Sequence, residues 1–230
     1  MDELLRFEPI SDARPDDTIW PAANWPIASG VVLRGETVEL TCSTLEDAPE
    51  LFSTLVDDRA WQHLPTWQYL PSRPEDVDAF RSIIQQRIED ANWHCWTVRL
   101  ISPVAGLAAG SVVGTSSFVD TQVTSARAEI GATQYSPHVW GTRVNPECKL
   151  ALLSYAFDEL HMGRVQLKTD VRNVRSQQAI ARLGARYEGV LRRYQRRADG
   201  TVRDTVLFSI IAEEWPDVRA RLENRLVGSK

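Results

Sequence analysis

The stretch from Pro146 to Leu160 constrains the fold more than any other part of the chain. Its polar positions Glu147, Ser154 and Asp158 form a narrow stripe, so a helix made from it is apolar around most of its circumference and is expected to be buried. A strand-like segment precedes it, Ala126 to Tyr135. A second follows, Arg164 to Thr169, with Val165, Leu167 and Thr169 on one face. A buried helix between two strands returns the chain to the same sheet as a crossover, so these two strands are expected to run parallel.

The other elements assemble around that joint. Val31-Val32-Leu33 with Val38, Leu40 and Cys42 read as a strand pair or one bent strand. Thr44 followed by Glu46-Asp47 starts a helix through Leu51, Leu55 and Val56. Pro74-Glu75-Asp76 opens another, with Val77, Phe80, Ile83, Ile84 and Ile88 at helical spacing. Trp93 to Ile101 and Ser111 to Val119 flank a Gly/Ala/Pro turn and, with Ala126 to Tyr135, make three consecutive strands. Asn173 to Leu183 is a helix closed by Gly184. Tyr187 to Gln195 and Val202 to Ile211 pair across Ala198-Asp199-Gly200, and a last helix runs from Glu213 to about Leu226. The class is α+β: a mixed central sheet, an antiparallel meander plus a parallel crossover joint, with helices on both faces.

Residues 1–30 have a different character. Pro9, Pro15, Pro21 and Pro26 exclude regular helix, yet Ile19, Trp20, Trp25 and Ile27 are too apolar for a free linker. This extension is expected to lie along the domain surface or against a second subunit, which leaves a homodimer open. One domain over 31–226 and a short tail, 227–230, complete the organisation.

Composition narrows the function classes. A net charge of -5 speaks against a nucleic-acid surface, which needs clustered cations. Cys42, Cys95 and Cys148 are odd in number and widely spaced, so no disulfide framework is expected. The N-terminus has no basic stretch followed by an apolar one, and no run of about 18 apolar residues occurs, so the chain reads as cytoplasmic and clear of membranes. His63, His94, His138 and His161 are scattered without ligand spacing, so no metal is expected. No Gly-x-Ser-x-Gly elbow, Walker loop or Rossmann fingerprint occurs, which leaves hydrolase and NTPase readings without support. The run Arg192-Arg193-Tyr194-Gln195-Arg196-Arg197 alternates faces on its strand and reads as a solvated hairpin tip.

Two segments carry chemistry. In the first, Ala128-Glu129-Ile130-Gly131 and Pro137 lead to Trp140-Gly141-Thr142 and straight into the buried helix. Such a loop presents unpaired backbone N–H groups and the positive end of the helix dipole, which suits a pyrophosphate. Gly141 allows close approach of a ligand, Arg143 offers a charge-assisted contact, and Asn145 and Pro146 suit a cap and a first helical position. Glu129 interrupts an apolar strand beside this loop. It reads either as an exposed alternate position or as a base. The second segment is Leu167-Lys168-Thr169-Asp170-Val171-Arg172-Asn173-Val174-Arg175-Ser176, followed by Leu183-Gly184-Ala185 and Glu188-Gly189.

In these motifs and in the order of its elements the chain resembles the GNAT superfamily, and within it the RimJ/RimL-like branch. The resemblance runs from about residue 31 to 226 and is strongest from 126 onward. Trp140, Arg143 and Asn145 stand where the superfamily loop has Gln or Arg, Gly, and Gly or Ala. The resemblance implies an N-acetyltransferase that uses acetyl-CoA. It places the cofactor against Gln134, Tyr135 and Ser136, whose backbone N–H groups could stabilise the oxyanion, and against Trp140, Gly141, Thr142, Arg143, Val144 and Asn145. Asn173 would hold the pantetheine arm. Glu129 would deprotonate the amine, and Ser176 would protonate the departing thiolate, with Tyr187 and Tyr194 as competing donors. The acceptor would be a protein or peptide N-terminus or a small amine such as an aminoglycoside, polyamine or amino acid. A non-catalytic acyl-CoA-binding module is the third reading. Acids at Glu46, Asp47, Glu50, Asp57, Asp58, Glu75, Asp76 and Asp78 would concentrate a cationic amine, and the segment from Val56 to Pro74 would set the width of its cleft.

Overall fold

A computed structural model gives the fold over residues 11, 19–56, 74–197 and 200–228. Eight strands form one sheet: β1 (Val32–Arg34), β2 (Val38–Cys42), β3 (His94–Leu100), β4 (Val112–Gln122), β5 (Arg127–Tyr135), β6 (Arg164–Asp170), β7 (Arg186–Arg196) and β8 (Val202–Ile211). Their spatial order is β1-β2-β3-β4-β5-β6-β8-β7. β5 and β6 pair in parallel and every other ladder is antiparallel, the mixed sheet that the buried crossover helix requires. The first strand segment is a hairpin rather than a bent strand, with Val32 opposite Thr41.

Among the described residues five α-helices pack on this sheet: α1 (Ala48–Leu55), α2 (Val77–Glu89), α3 (Val144–Ser154), α4 (Val174–Ala181) and α5 (Trp215–Val227). A short turn, Leu45–Asp47, leads into α1, and the Thr44 N–H donates to Asp47 Oδ2 at 2.9 Å. Asp76 caps α2 by accepting from the Ala79 N–H at 2.8 Å. Ala48, Leu51, Leu55, Phe80 and Ile84 of α1 and α2 pack on Val112, while the adjacent Val113 joins the larger core with Cys148 and Leu152 of α3 and Val218 and Leu222 of α5. Neighbouring residues on a strand point to opposite faces, so the two cores lie on either side of the sheet.

The crossover helix differs from its reading in two ways. It begins at Val144, so Asn145 and Pro146 lie inside its first turn and Arg143 is the cap residue. After Ser154 it widens into a π-helical turn, Tyr155–Glu159, closed by Leu160 N–H donating to Tyr155 O at 2.9 Å. Glu147, expected on the polar stripe, is only 3% exposed. Its carboxylate accepts from the Thr37 N–H at 2.6 Å, the Val38 N–H at 3.3 Å, the Thr37 hydroxyl, and Arg143 Nε at 3.1 Å. α3 is thereby tied to the β1–β2 turn.

Residues 19–30 of the extension bond to the domain's surface. Trp20 Nε1 donates to His161 O at 2.8 Å, Asn24 N–H to Leu160 O at 3.1 Å, and Trp25 Nε1 to Ala91 O at 3.0 Å. Asp57, Asp58, His63 and the hairpin residues Ala198 and Asp199 lie outside the described residues. No helix among the described residues is long and apolar enough to cross a membrane.

The Glu147 tie leads to a stability prediction. A Cβ on Gly35 would overlap the Glu147 carboxyl, so Gly35→Ala must displace a carboxylate already held by four donors. We expect a loss of roughly 1–3 kcal/mol in urea unfolding. In a Glu147→Ala background the added cost of Gly35→Ala should fall close to zero. An undiminished cost there would place the strain elsewhere.

Candidate functional site

The site forms where the parallel joint stops. β5 and β6 pair at three positions, Arg127 with Arg164, Ala128 with Val165 and Glu129 with Gln166. Beyond them the strands part. On its other side β5 carries a bulge: Thr115 faces Gln134 and Ser117 faces Gly131, so β5 has one residue more than β4 over this span. Ala132, within it, has φ +47°, a left-handed conformation costly for a residue with a side chain.

A cavity of about 400 Å³ fills the gap, lined by residues 130–135 of β5 and 167–170 of β6. The start of α3 borders it through Trp140, Gly141, Thr142 and Asn145, and α4 through Asn173 and Ser176. Gly141 has φ +77° and open space where a side chain would be. The Thr142 hydroxyl accepts from the Val144 N–H at 3.3 Å and Pro146 has no N–H, so the donors left by the first turn are those of Arg143 and Asn145. Ser136 N–H donates to Val113 O at 2.8 Å, so it is committed to β4. Strand alternation then turns the Tyr135 N–H away from β4, toward the splay.

Charge around the cavity is mostly positive, with Lys149, Lys168, Arg175, Arg182 and Arg203 among its linings. Arg175 lies over the Trp140 ring, 4.1 Å from its centroid. Asp170, 1% exposed, is held by Arg197 Nε and Nη2 at 2.9 and 2.8 Å. Arg197 is thus an anchor of the cavity wall and not part of a solvated tip. These donors and cations suit a ligand carrying phosphates and amide groups.

Beside the cavity sits a buried ion pair. Lys168 Nζ is 2.7 Å from Glu129 Oε2 and donates to the Tyr194 hydroxyl at 3.0 Å. Glu129 is 2% exposed. The alternation argument for exposure therefore fails, because β6 covers this position and supplies a cation. Burial pushes the Glu129 carboxyl above its ordinary range, with Lys168 opposing. Burial would lower Lys168, but Glu129 and the Tyr194 hydroxyl together more than offset it and the ammonium is held above its usual value.

The sequence matches an Acetyltransferase (GNAT) domain over residues 38–186. This chain belongs to the GNAT acetyltransferase family. It is 32% identical to the N-acetyltransferase p20 of Bacillus licheniformis over 104 residues, 45% of this chain and 57% of p20, so the match spans little more than half of that relative. It is 28% identical over 171 residues to YdaF of Bacillus subtilis, provisionally named a ribosomal N-acetyltransferase, covering 74% of this chain and 88% of YdaF. The solved structure of Mycobacterium smegmatis RimJ in complex with CoA-disulfide shares the fold, with a TM-score of 0.68 and 23% identity over 86% of this chain and 94% of that one.

Of the residues that the GNAT pattern nominates, Gln134, Tyr135, Trp140, Gly141, Thr142, Asn145, Asn173 and Ser176 line the cavity. Glu129, Ser136, Arg143 and Val144 do not. The Arg143 guanidinium turns to Glu36 at 2.7 Å and Glu147 at 3.1 Å. Asn173 is the N-cap of α4, its Oδ1 accepting from the Ser176 N–H at 3.0 Å, which leaves its amide NH2 for another partner. Tyr187 and Tyr194 are half-exposed and line no part of the cavity. None of the described acids proposed to steer an amine lines it either. Asp47 and Glu50 are occupied by Arg99, at 2.7 and 2.8 Å. Sequence reasoning missed Lys149 and the role of Lys168. Asn145 and Lys149 are four apart and so share a helix face, which was the available signal.

Removing the partner of a buried charge is costly, so Lys168→Met should destabilise the fold by about 3–5 kcal/mol at neutral pH. The sign with pH follows from Glu129. Without the ammonium its native carboxyl rises further, so the folded state holds a proton that the unfolded state has shed. Stability should therefore fall as pH rises from the ordinary Glu value through the raised one. Chemical denaturation at about pH 5 and pH 8 checks this, and a smaller deficit at the higher pH would contradict it.

Proposed function

We propose that this chain is an N-acetyltransferase that moves the acetyl group of acetyl-CoA to the N-terminal amine of a protein or peptide. The observation that carries the reading is the splay: two strand edges, unpaired with each other, face across a cavity bounded by the first turn of α3 and the capped end of α4. Bound there, acetyl-CoA supplies an acetyl group activated as a thioester.

In this reading the loop Trp140, Gly141 and Thr142 leads the chain into α3 past Val144, and the backbone N–H groups of Arg143 and Asn145, with the helix dipole, hold the pyrophosphate. The Arg143 side chain acts on that loop indirectly, by fixing the start of α3 through Glu147. The Asn173 amide steadies the pantetheine arm. The backbone of Gln134 to Ser136 contributes the Tyr135 N–H to the carbonyl oxygen as negative charge develops there. Glu129, oriented by Lys168, takes the proton of the acceptor amine, directly or through one water. The Ser176 hydroxyl, which has no hydrogen bond among the described residues, gives a proton to the departing sulfur.

A peptide acceptor is supported by the ribosomal N-acetyltransferase name that YdaF carries and by the open edge of β6, where an extended backbone can add hydrogen bonds. Small amines would use the same base and cofactor site but not that edge.

Free-thiol release from acetyl-CoA, measured with peptide N-termini and small amines, tests this. Saturable acetyl-CoA binding is expected, with peptides turned over faster. A well-folded chain that does not bind acetyl-CoA would end the reading, and a small amine as best substrate would replace the acceptor. Glu129→Gln should lower kcat by about 10²–10⁴-fold. It should also abolish the acidic limb of the pH–rate profile, which lies above the ordinary carboxylate range because burial raises this group. Asn173→Ala should cost only about 1 kcal/mol as a lost cap, yet reduce kcat/KM well beyond the loss of folded protein. Equal activity per folded molecule would assign Asn173 to capping alone.

A further inference from the structure

Of the 26 lysine and arginine residues only three are lysine: Lys149, Lys168 and Lys230. Two of the three line the cavity. An ammonium can lose its proton and become a nucleophile near neutral pH, whereas a guanidinium cannot.

The two cavity lysines are held in opposite ways. Lys168 is fixed as a cation by Glu129. Lys149, 5% exposed, has no carboxylate within ion-pair distance among the described residues. Its Nζ donates to Thr133 Oγ1 at 2.8 Å and to Ser116 Oγ at 3.3 Å, two neutral hydroxyls on the bulged β4–β5 ladder. Two acceptors leave the third position of that nitrogen for the cavity's contents. From α3 itself the nearest ionisable neighbour is Cys148, whose thiol burial pushes up to about 12 and so keeps neutral. The other charged linings are Lys168, Asp170, Arg175, Arg182, Arg203 and Arg225. Asp170 alone among them favours an ammonium, and Arg197 holds it. Burial accordingly pulls Lys149 down to about 8.

We propose that Lys149 is a self-acetylation site, taking an acetyl group from the thioester held in the chain's own cavity. This rests on the reading of that cavity as the acetyl-CoA site. The unprotonated Nζ attacks the acetyl carbonyl carbon, an N–C bond forms, the C–S bond breaks, and the sulfur leaves as a thiol with the proton the nitrogen sheds. The product is a neutral amide in place of a buried amine. It removes a donor from Ser116 and Thr133 and leaves an acetamide against the cavity wall, so transfer to external acceptors falls as the modification accumulates.

The lysine-poor sequence makes the test direct. The full chain is incubated with acetyl-CoA and no acceptor at pH values from about 6 to 10, then mapped by peptide mass spectrometry while calorimetry records acetyl-CoA binding. Lys149 should acquire one acetyl group, with a rate that levels off above about pH 8. At pH 7 its rate should exceed that of Lys230 by on the order of 10-fold or more, the difference expected between an amine at about 8 and one at the free-lysine value. Lys168 should remain unmodified, and Lys149→Arg should lose the cavity modification. Binding of acetyl-CoA with Lys149 unmodified, or modified no faster than Lys230, would overturn the inference. If acetyl-CoA does not bind, the cavity reading fails, and S-acetyl-N-acetylcysteamine, a thioester that needs no nucleotide site, tests the amine itself. Preferential labelling of Lys149 would then support its reactivity, and no labelling would overturn it.

Discussion

The site depends on the early end of one β-ladder. β5 and β6 share three register positions and then separate, although both strands continue. Neither is free to close the gap. β6 is paired along its whole length with β8, from Arg164 opposite Ile211 to Asp170 opposite Thr205. β5 is paired with β4 and bent by its extra residue at Ala132. The ladders on either side thus hold apart the strands of a third. Strand edges facing a cavity leave backbone donors and acceptors in need of partners, and a ligand with its own amide groups is their natural complement.

Much of this was legible because it rests on local pattern. The apolar character of residues 146–160 demanded burial and therefore a parallel joint, and alternation located the strands to within a few residues. What depended on distant partners was not legible. Glu147 looks like one polar position on a helix, and its ligands Thr37 and Val38 are about 110 residues away in a turn with no signature. Arg143 sits beside a phosphate-type loop in sequence, yet Glu36 and Glu147 compete for it in space. Glu129 pairs with Lys168 because Gln166 is its register partner and Lys168, two residues on, shares that face. The sequence does not state that register. The π turn at Tyr155–Glu159 has no local signal either.

Net charge was a poor guide to the site. The chain carries -5 overall, but the cavity walls are mostly cationic. Among the described acids Asp170 lines the cavity, and many of the others are already paired, Asp47 and Glu50 with Arg99 and Glu188 with Arg164. A site's field is set by the charges that line it and by the low-dielectric walls around them, not by the sum over the molecule. A polyanionic cofactor would be drawn to such a cavity, whereas none of the described acids of α1, α2 and the turns before them lines it.

The Glu147 carboxylate joins parts of the chain that would otherwise open independently. It belongs to the helix whose first turn borders the cavity, and it carries the backbone donors of the β1–β2 turn at the far edge of the sheet. Freeing that turn strands a buried charge, and unwinding the start of α3 strands two N–H groups, so neither can fray alone at low cost. The two segments therefore form one cooperative unit of local unfolding. Amide hydrogens in β1, β2 and the first turn of α3 would exchange with solvent through a shared opening, and a ligand seated on that turn would slow exchange at an edge strand it never touches.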